Sequence, residues 1–404
     1  MIIRTLLFLS ISLLGFAATS GRSLDQPDPE AAGMNPARLA HIHQRMQEFV
    51  NQGKAAGIVT ALARHAHLAS LDAVGYRDLE SKAPMRTDTL FRIMSLTKPV
   101  TCIGIMTLVD EGRLSLIDPV EKYLPEFKGQ KLNPCGERAG YACGLVAPHR
   151  PVNIEDLMKH TSGMRAPESS DPPVASLAEL VARAGKMPLL FEPGTRWDYS
   201  NIGYDTLGRI IEVVSGKPYD QYLHDTIFEP LGMQDTFFYV PGEKLSRVAS
   251  VYTDVNGTLK KADIREPQRG RDLPSPAGGL FSTAHDLFRL NEMMRNHGAL
   301  DGTRVLSAAA VELMTTSLTG DLKAGWAPGM GHGLGWEVVR NPEGMYRYNS
   351  IGTYAKGGAY RTYEWVDPAK DLVGIILMQR TNGGGDVADE INAFMAMAAA
   401  AIEQ

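Results

Sequence analysis

The sequence predicts an α+β fold: an antiparallel sheet flanked by helices, with an inserted, mostly helical subdomain. Two observations lead there. Strand-like runs occur towards both ends of the chain, and the long stretch between them reads as helices joined by Pro- and Gly-rich loops. With 404 residues and 44% hydrophobic content, the chain can bury a large core.

Taken in order, residues 1 to about 20 read Met1-Ile2-Ile3-Arg4, an apolar stretch from Leu6 to Ala18, and the small residues Ala18-Thr19-Ser20. This is the pattern of a secretory signal peptide, which predicts a periplasmic or secreted protein. Its apolar core is shorter than the roughly 20 residues that span a bilayer. No stable membrane association is expected once it is cleaved. Residues 21–404 then form a single domain, with an α/β part over about 30–118 and 321–404 and a helical part over about 119–320.

Helical periodicity covers residues 36–52, and Gly57 to Ala63 with His67 to Val74 reads as a hairpin. A helix from about Ser95 to Glu111 follows, with Pro99 tolerated in its first turn and Gly112 as its stop. Ile103, Met106 and Val109 mark its expected buried side. In the middle, the loops Gly129 to Arg150 and Ala166 to Val174 have the composition of segments that wall a cleft. Strands return at Gly335 to Val339, Gly358 to Val366 and Leu372 to Gln379, and a last helix is expected from about Val387 to Ile402.

Charge and cysteine usage exclude several functions. A formal charge of -5 without a long lysine or arginine run gives no field for phosphates, so no nucleic acid partner is expected. The pairs His41/His43 and His65/His67 are too few ligands, and wrongly spaced on a helix, for a metal; no metal and no cofactor is expected. Of three cysteines, Cys135 and Cys143 flank a short loop that a disulfide can close in an oxidising compartment. Cys102 lies among Ile103, Ile105 and Met106 and reads as a buried free thiol.

The chemistry is carried by three segments. Phe91-Arg92-Ile93-Met94-Ser95-Leu96-Thr97-Lys98 places a hydroxyl and an amine one helical turn apart, on one face. A serine nucleophile needs such a base within hydrogen-bond reach. Trp197-Asp198-Tyr199-Ser200-Asn201 ends a turn-rich run with a phenol, and Lys356-Gly357-Gly358-Ala359 offers small residues where a backbone can approach another molecule. The Gly-x-Ser-x-Gly elbow of α/β-hydrolases and the His-Glu-x-x-His zinc motif are both absent.

In order and spacing, Ser-x-x-Lys, Tyr-x-Asn and Lys-Gly-Gly resemble the active-site boxes of serine β-lactamases and penicillin-binding proteins. The Tyr-x-Asn form is most similar to class C β-lactamases and family VIII carboxylesterases. Further likeness lies in Asp156-Leu157-Met158-Lys159-His160-Thr161-Ser162-Gly163-Met164, Glu229-Pro230-Leu231-Gly232-Met233 and Ala277-Gly278-Gly279-Leu280-Phe281, and it extends over most of residues 30–400. The resemblance implies a β-lactamase/transpeptidase-like fold.

It also implies catalytic roles for Ser95, Lys98 and Tyr199, with Ser95 forming an acyl-enzyme. Oxyanion donors would be the amides of Ser95 and Ala359, beside Gly357 and Gly358, and Asn201 would orient Lys98. For either Lys98 or Tyr199 to act as a base near neutrality, its pKa must fall by about three units. A neighbouring ammonium lowers a phenol, so Tyr199 is expected to be the base and Lys98 the charged neighbour. A purely structural reading makes Asn201 a helix cap and Lys356 a solvated strand-edge charge.

The expected reaction is hydrolysis of carboxylic esters of modest acyl length; the substrate is a small ester or amide. One alternative is a β-lactamase or D-peptide hydrolase in which Lys356 binds a substrate carboxylate. Another is a non-catalytic sensor that is acylated without turnover.

Overall fold

Of the 404 residues, the computed structural model describes 26–136, 143–167, 174–381 and 388–403. The leader expected at residues 1–20 lies outside them, as do parts of the two cleft-wall loops and Val387. In the principal sheet, β1 (Gly57–Arg64) and β2 (His67–Asp78) form the expected hairpin. His65 and Ala66 connect them with φ of 56° and 60°, the hand a two-residue turn needs to follow strand twist. The remaining strands are β3 (Ala83–Pro84), β4 (Met330–His332), β5 (Glu337–Val339), β6 (Tyr354–Gly358), β7 (Thr362–Asp367) and β8 (Leu372–Leu377).

Their order is β4-β5-β6-β7-β8-β1-β2-β3, and each neighbouring pair is antiparallel. The two ends of the chain meet where β1 pairs with β8, from Val59 opposite Leu377 to Arg64 opposite Leu372. One boundary differs from the sequence reading. Lys356, Gly357 and Gly358 belong to β6, and Ala359 to Arg361 form the turn into β7.

Helices cover both faces. On one, Ile42, Met46 and Phe49 of helix Pro36–Asn51 pack with Ile391 and Phe394 of helix Asp389–Ala400 against Leu62, Trp365 and Ile376. On the other, helices Thr97–Asp110 and Ala284–Arg295 cover Val59, Ala61, Ile375 and Leu377. Every residue of β7 and β8 is therefore buried; β8 reads as an apolar run, whereas β7 buries Thr362, Glu364 and Asp367 among its apolar residues.

The helix Thr97–Asp110 is buried from Thr97 through Leu108, not along a single side. It runs through the interior, with its hydroxyls bonded internally: Thr101 Oγ1 donates to Pro276 O at 2.8 Å and Thr107 Oγ1 to Gly104 O at 2.9 Å. Cys102 is a buried free thiol whose pKa is pushed up to about 12 by burial, which leaves it unreactive. Cys135 and Cys143 form a disulfide, with Cα atoms 6.0 Å apart.

The middle of the chain is less uniformly helical than its composition suggests. It holds a hairpin, Tyr252–Val255 with Thr258–Lys261, joined in parallel by Arg380–Thr381. Helix Ala284–Arg295 lies on the sheet even though its sequence position falls within the helical part. Asn291 on it donates to Glu364 of β7 at 2.8 Å, and Arg295 pairs with Asp371 at 2.5 Å.

Glu364 is fully buried, and burial pushes its carboxyl up to about 8. The folded state thus keeps a proton that the unfolded chain releases near 4.3. The stability tied to this group is complete below that value and is lost as pH rises towards 8. Glu364→Gln retains the shape without the titration. Its melting temperature is expected to fall less between pH 5 and 8 than that of the wild type, as thermal melts at both pH values will show.

Candidate active site

Ser95 sits in a short 3₁₀ turn, Met94–Leu96, that feeds directly into helix Thr97–Asp110. Met94 has φ of 51°, a costly conformation for a side chain with a Cβ, and such strain is characteristic of positions where a nucleophile is presented. One turn on, Lys98 Nζ lies 3.2 Å from Ser95 Oγ. The same nitrogen donates to Asn201 Oδ1 at 2.8 Å and to Ala277 O at 2.6 Å. Tyr199 Oη lies 2.7 Å from Ser95 Oγ. The Ser-x-x-Lys and Tyr-x-Asn segments thus converge on one hydroxyl.

Lys98 is 0% exposed. Burial, reinforced by the charge of Lys356, holds its ammonium well below the ordinary lysine range. Its Nζ has three oxygen neighbours, Ser95 Oγ, Asn201 Oδ1 and Ala277 O.

The phenol is held from both sides by a residue that the sequence reading did not single out. His160 O accepts from Asp198 N at 2.8 Å, and His160 Nδ1 accepts from Ser200 N at 3.0 Å, bracketing Tyr199. The two rings lie 4.5 Å apart. Because Nδ1 accepts, the neutral ring carries its proton on Nε2. Burial and then the charges around it hold His160 well below the ordinary histidine range, which preserves that acceptor. The run Asp156 to Met164 was noticed in the sequence only as part of a resemblance.

Asn201 is not the helix cap. Ser200 is, with Oγ accepting from Gly203 N at 3.2 Å, and this frees the asparagine side chain for Lys98.

Lys356 departs from the reading of it as a solvated strand-edge charge. It is 1% exposed, so it is no solvated edge charge, and its ammonium lies 2.9 Å from Glu337 Oε1 of β5, itself fully buried. The charge is answered from within the protein by that carboxylate. It sits 5.3 Å from the Tyr199 ring centroid, beside the 4.6 Å approach of Lys98 to the same ring. Glu337 gave no sequence signal, because a single acidic residue after a tryptophan has no pattern around it.

Gly358 explains the glycine requirement next to this lysine. A Cβ there would meet Thr362 Oγ1 at 2.2 Å and Ile93 O at 2.6 Å. Only a bare backbone lets β6 close against the nucleophile turn, where Thr362 Oγ1 donates to Ile93 O at 2.9 Å. That approach seats the end of β6 against the Met94–Leu96 turn. The histidine pairs are occupied separately: His43 by Asp72 at 2.6 Å and His65 by Asp371 at 2.8 Å.

Comparison with known proteins agrees with this geometry. The beta-lactamase family model matches residues 42–396. Esterase EstB of Burkholderia gladioli is 28% identical over 391 residues, covering 87% of this chain and 93% of that protein. A putative D-alanyl-D-alanine carboxypeptidase of Escherichia coli K12 is 26% identical, covering 93% and 91%. Among solved structures, EstCE1, described as a hydrolase with promiscuous acyltransferase activity, superposes with a TM-score of 0.74 at 25% identity, over 90% of this chain and 98% of that one. With a matched sequence spanning nearly its whole length and a serine, a lysine and a tyrosine brought onto one oxygen, the chain belongs to the beta-lactamase family of serine hydrolases.

Proposed function

We propose that the protein is an exported esterase that cleaves small carboxylic esters through an acyl-enzyme on Ser95. The observation that carries this reading is the contact of one hydroxyl with two proton-transfer groups, Lys98 at 3.2 Å and Tyr199 at 2.7 Å. Lys98 takes the Ser95 proton as Oγ attacks the carbonyl carbon, and Tyr199 gives its proton to the departing alkoxide. Lys98 then returns a proton to Tyr199. Water, deprotonated at the same centre, releases the acid and restores Ser95. This division reverses the one expected from sequence, where Tyr199 was the base. The reason is the buried setting of Lys98, which disfavours its charged form.

An ester is favoured over a substrate anchored by its carboxylate because Lys356 is buried against Glu337. The apolar leader at residues 1–20 and the Cys135–Cys143 disulfide support export to an oxidising compartment.

The test compares turnover of p-nitrophenyl acetate with that of a chromogenic cephalosporin, for the wild type and Ser95→Ala. Rapid acetate hydrolysis that disappears in the variant is expected, with slow or no cephalosporin turnover. Intact mass should show the loss of about 20 residues and an acyl adduct that Ser95→Ala lacks. A dominant cephalosporin rate, or acetate turnover that survives the substitution, would reject the proposal.

A further inference from the structure

Trp326 is an aromatic side chain at the mouth of the site that the catalytic groups leave unexplained. It is 57% exposed. Single exposed apolar residues are ordinary. This one is distinguished by its neighbours: its ring centroid lies 5.3 Å from Tyr199 and 5.6 Å from Trp197. The Tyr199 hydroxyl is the one that touches Ser95 Oγ.

The segment that carries Trp326 is anchored. Gly329 O accepts from Arg340 N at 2.8 Å and from Asn341 N at 3.0 Å, and Ala327 packs against the buried cluster that includes Met330 and Val339. Gly329 has φ of 79°, and a Cβ there would fall 2.1 Å from Asn341 O, so only glycine permits this attachment. The backbone that carries the indole is therefore anchored beside the site before any ligand arrives.

We propose that Trp326 is the wall of a leaving-group subsite that selects esters whose departing alcohol carries an aromatic or flat apolar group. The inference rests on the reading of Tyr199 as the acid to the leaving oxygen. The acid must stand next to that oxygen, so the alcohol's substituent projects on the Tyr199 side of Ser95, where Trp326 and Trp197 present their rings. The nearby lysines do not compete for the ligand, since Lys98 and Lys356 are buried and engaged with Asn201 and Glu337. What the subsite offers is aromatic surface, which binds a ring by edge or offset stacking.

The test uses benzyl acetate and butyl acetate, which share an acyl group and release alcohols of similar leaving ability. Trp326→Ala is expected to lower kcat/KM for the benzyl ester about tenfold, mainly through KM, the upper range for an aromatic pair. The butyl ester should change less than about twofold, and Trp326→Phe should keep most of the preference. Equal losses on both esters would mean that Trp326 only props Tyr199, and no loss on either would mean that it does not touch the alcohol; both overturn the subsite. Labelling of Ser95 by a fluorophosphonate, read by intact mass, separates the two failures. A labelled wild type without the benzyl effect removes the subsite alone, whereas an unlabelled Ser95 with no acetate turnover removes the esterase reading and the subsite with it.

Discussion

Lys98→Met lowers kcat/KM for a short-chain ester by roughly a thousandfold, within the range that a positioned general base supplies. The substitution keeps the length and apolar volume of the side chain, so the loss reports the missing lone pair, not a cavity. The wild-type pH profile carries the same signature. Lys98 is a base only when neutral, so kcat/KM falls as pH drops through its depressed pKa. The methionine variant should lack that acid limb in whatever activity remains. The Lys356 charge contributes to the depression. Lys356→Met should therefore move the limb to higher pH. An acid limb that persists unchanged in Lys98→Met would return the base role to Tyr199.

Glu337→Ala is expected to be the most damaging change to stability outside the reacting residues. It leaves the ammonium of Lys356, 1% exposed, without its carboxylate at 2.9 Å. Breaking a buried pair from one side costs roughly 3–5 kcal/mol, since the remaining charge stays desolvated without the carboxylate that faced it. Replacing both partners, Lys356→Met with Glu337→Leu, should recover most of that loss, because the pair itself contributes little net stability. Denaturant melts of the single and double variants decide the point. A single variant as stable as the wild type would mean that Lys356 finds another carboxylate or is already neutral. Activity in the double variant should follow the shift of the acid limb predicted for Lys356→Met.

Much of the site was legible because its parts are local. Ser95 and Lys98 meet through one helical turn, so their spacing in sequence already implies contact. Tyr199 and Asn201 flank Ser200, whose hydroxyl caps the helix that begins at Asn201. Gly358 could be recognised as a point of close approach from its small size alone. The hairpin, the nucleophile helix and the last strands follow from periods of 2 and 3.6 residues, and both periods are properties of neighbouring residues.

What escaped the reading depends on residues far apart in the chain. Lys356 reads as a solvated or substrate-facing charge until β5 is placed beside β6 and brings Glu337 to it. His160 supports Tyr199 across 38 residues of intervening sequence, through a backbone carbonyl and one ring nitrogen that no pattern announces. Helix Ala284–Arg295 has the amphipathic character of the helices before it; its packing on β1 and β8 and the pairing of its Asn291 with Glu364 assign it to the sheet. By itself, then, the sequence pointed to Ser95 as the candidate nucleophile, to its close partners and to the fold class, because each is set by spacing within a turn, a strand or a cap. The tertiary structure decided that Lys98 is buried against Ser95, that Lys356 is a buried counter-charge to Glu337 and that Trp326 stands beside Tyr199, because desolvation and charge pairing depend on what the folded chain packs around each group.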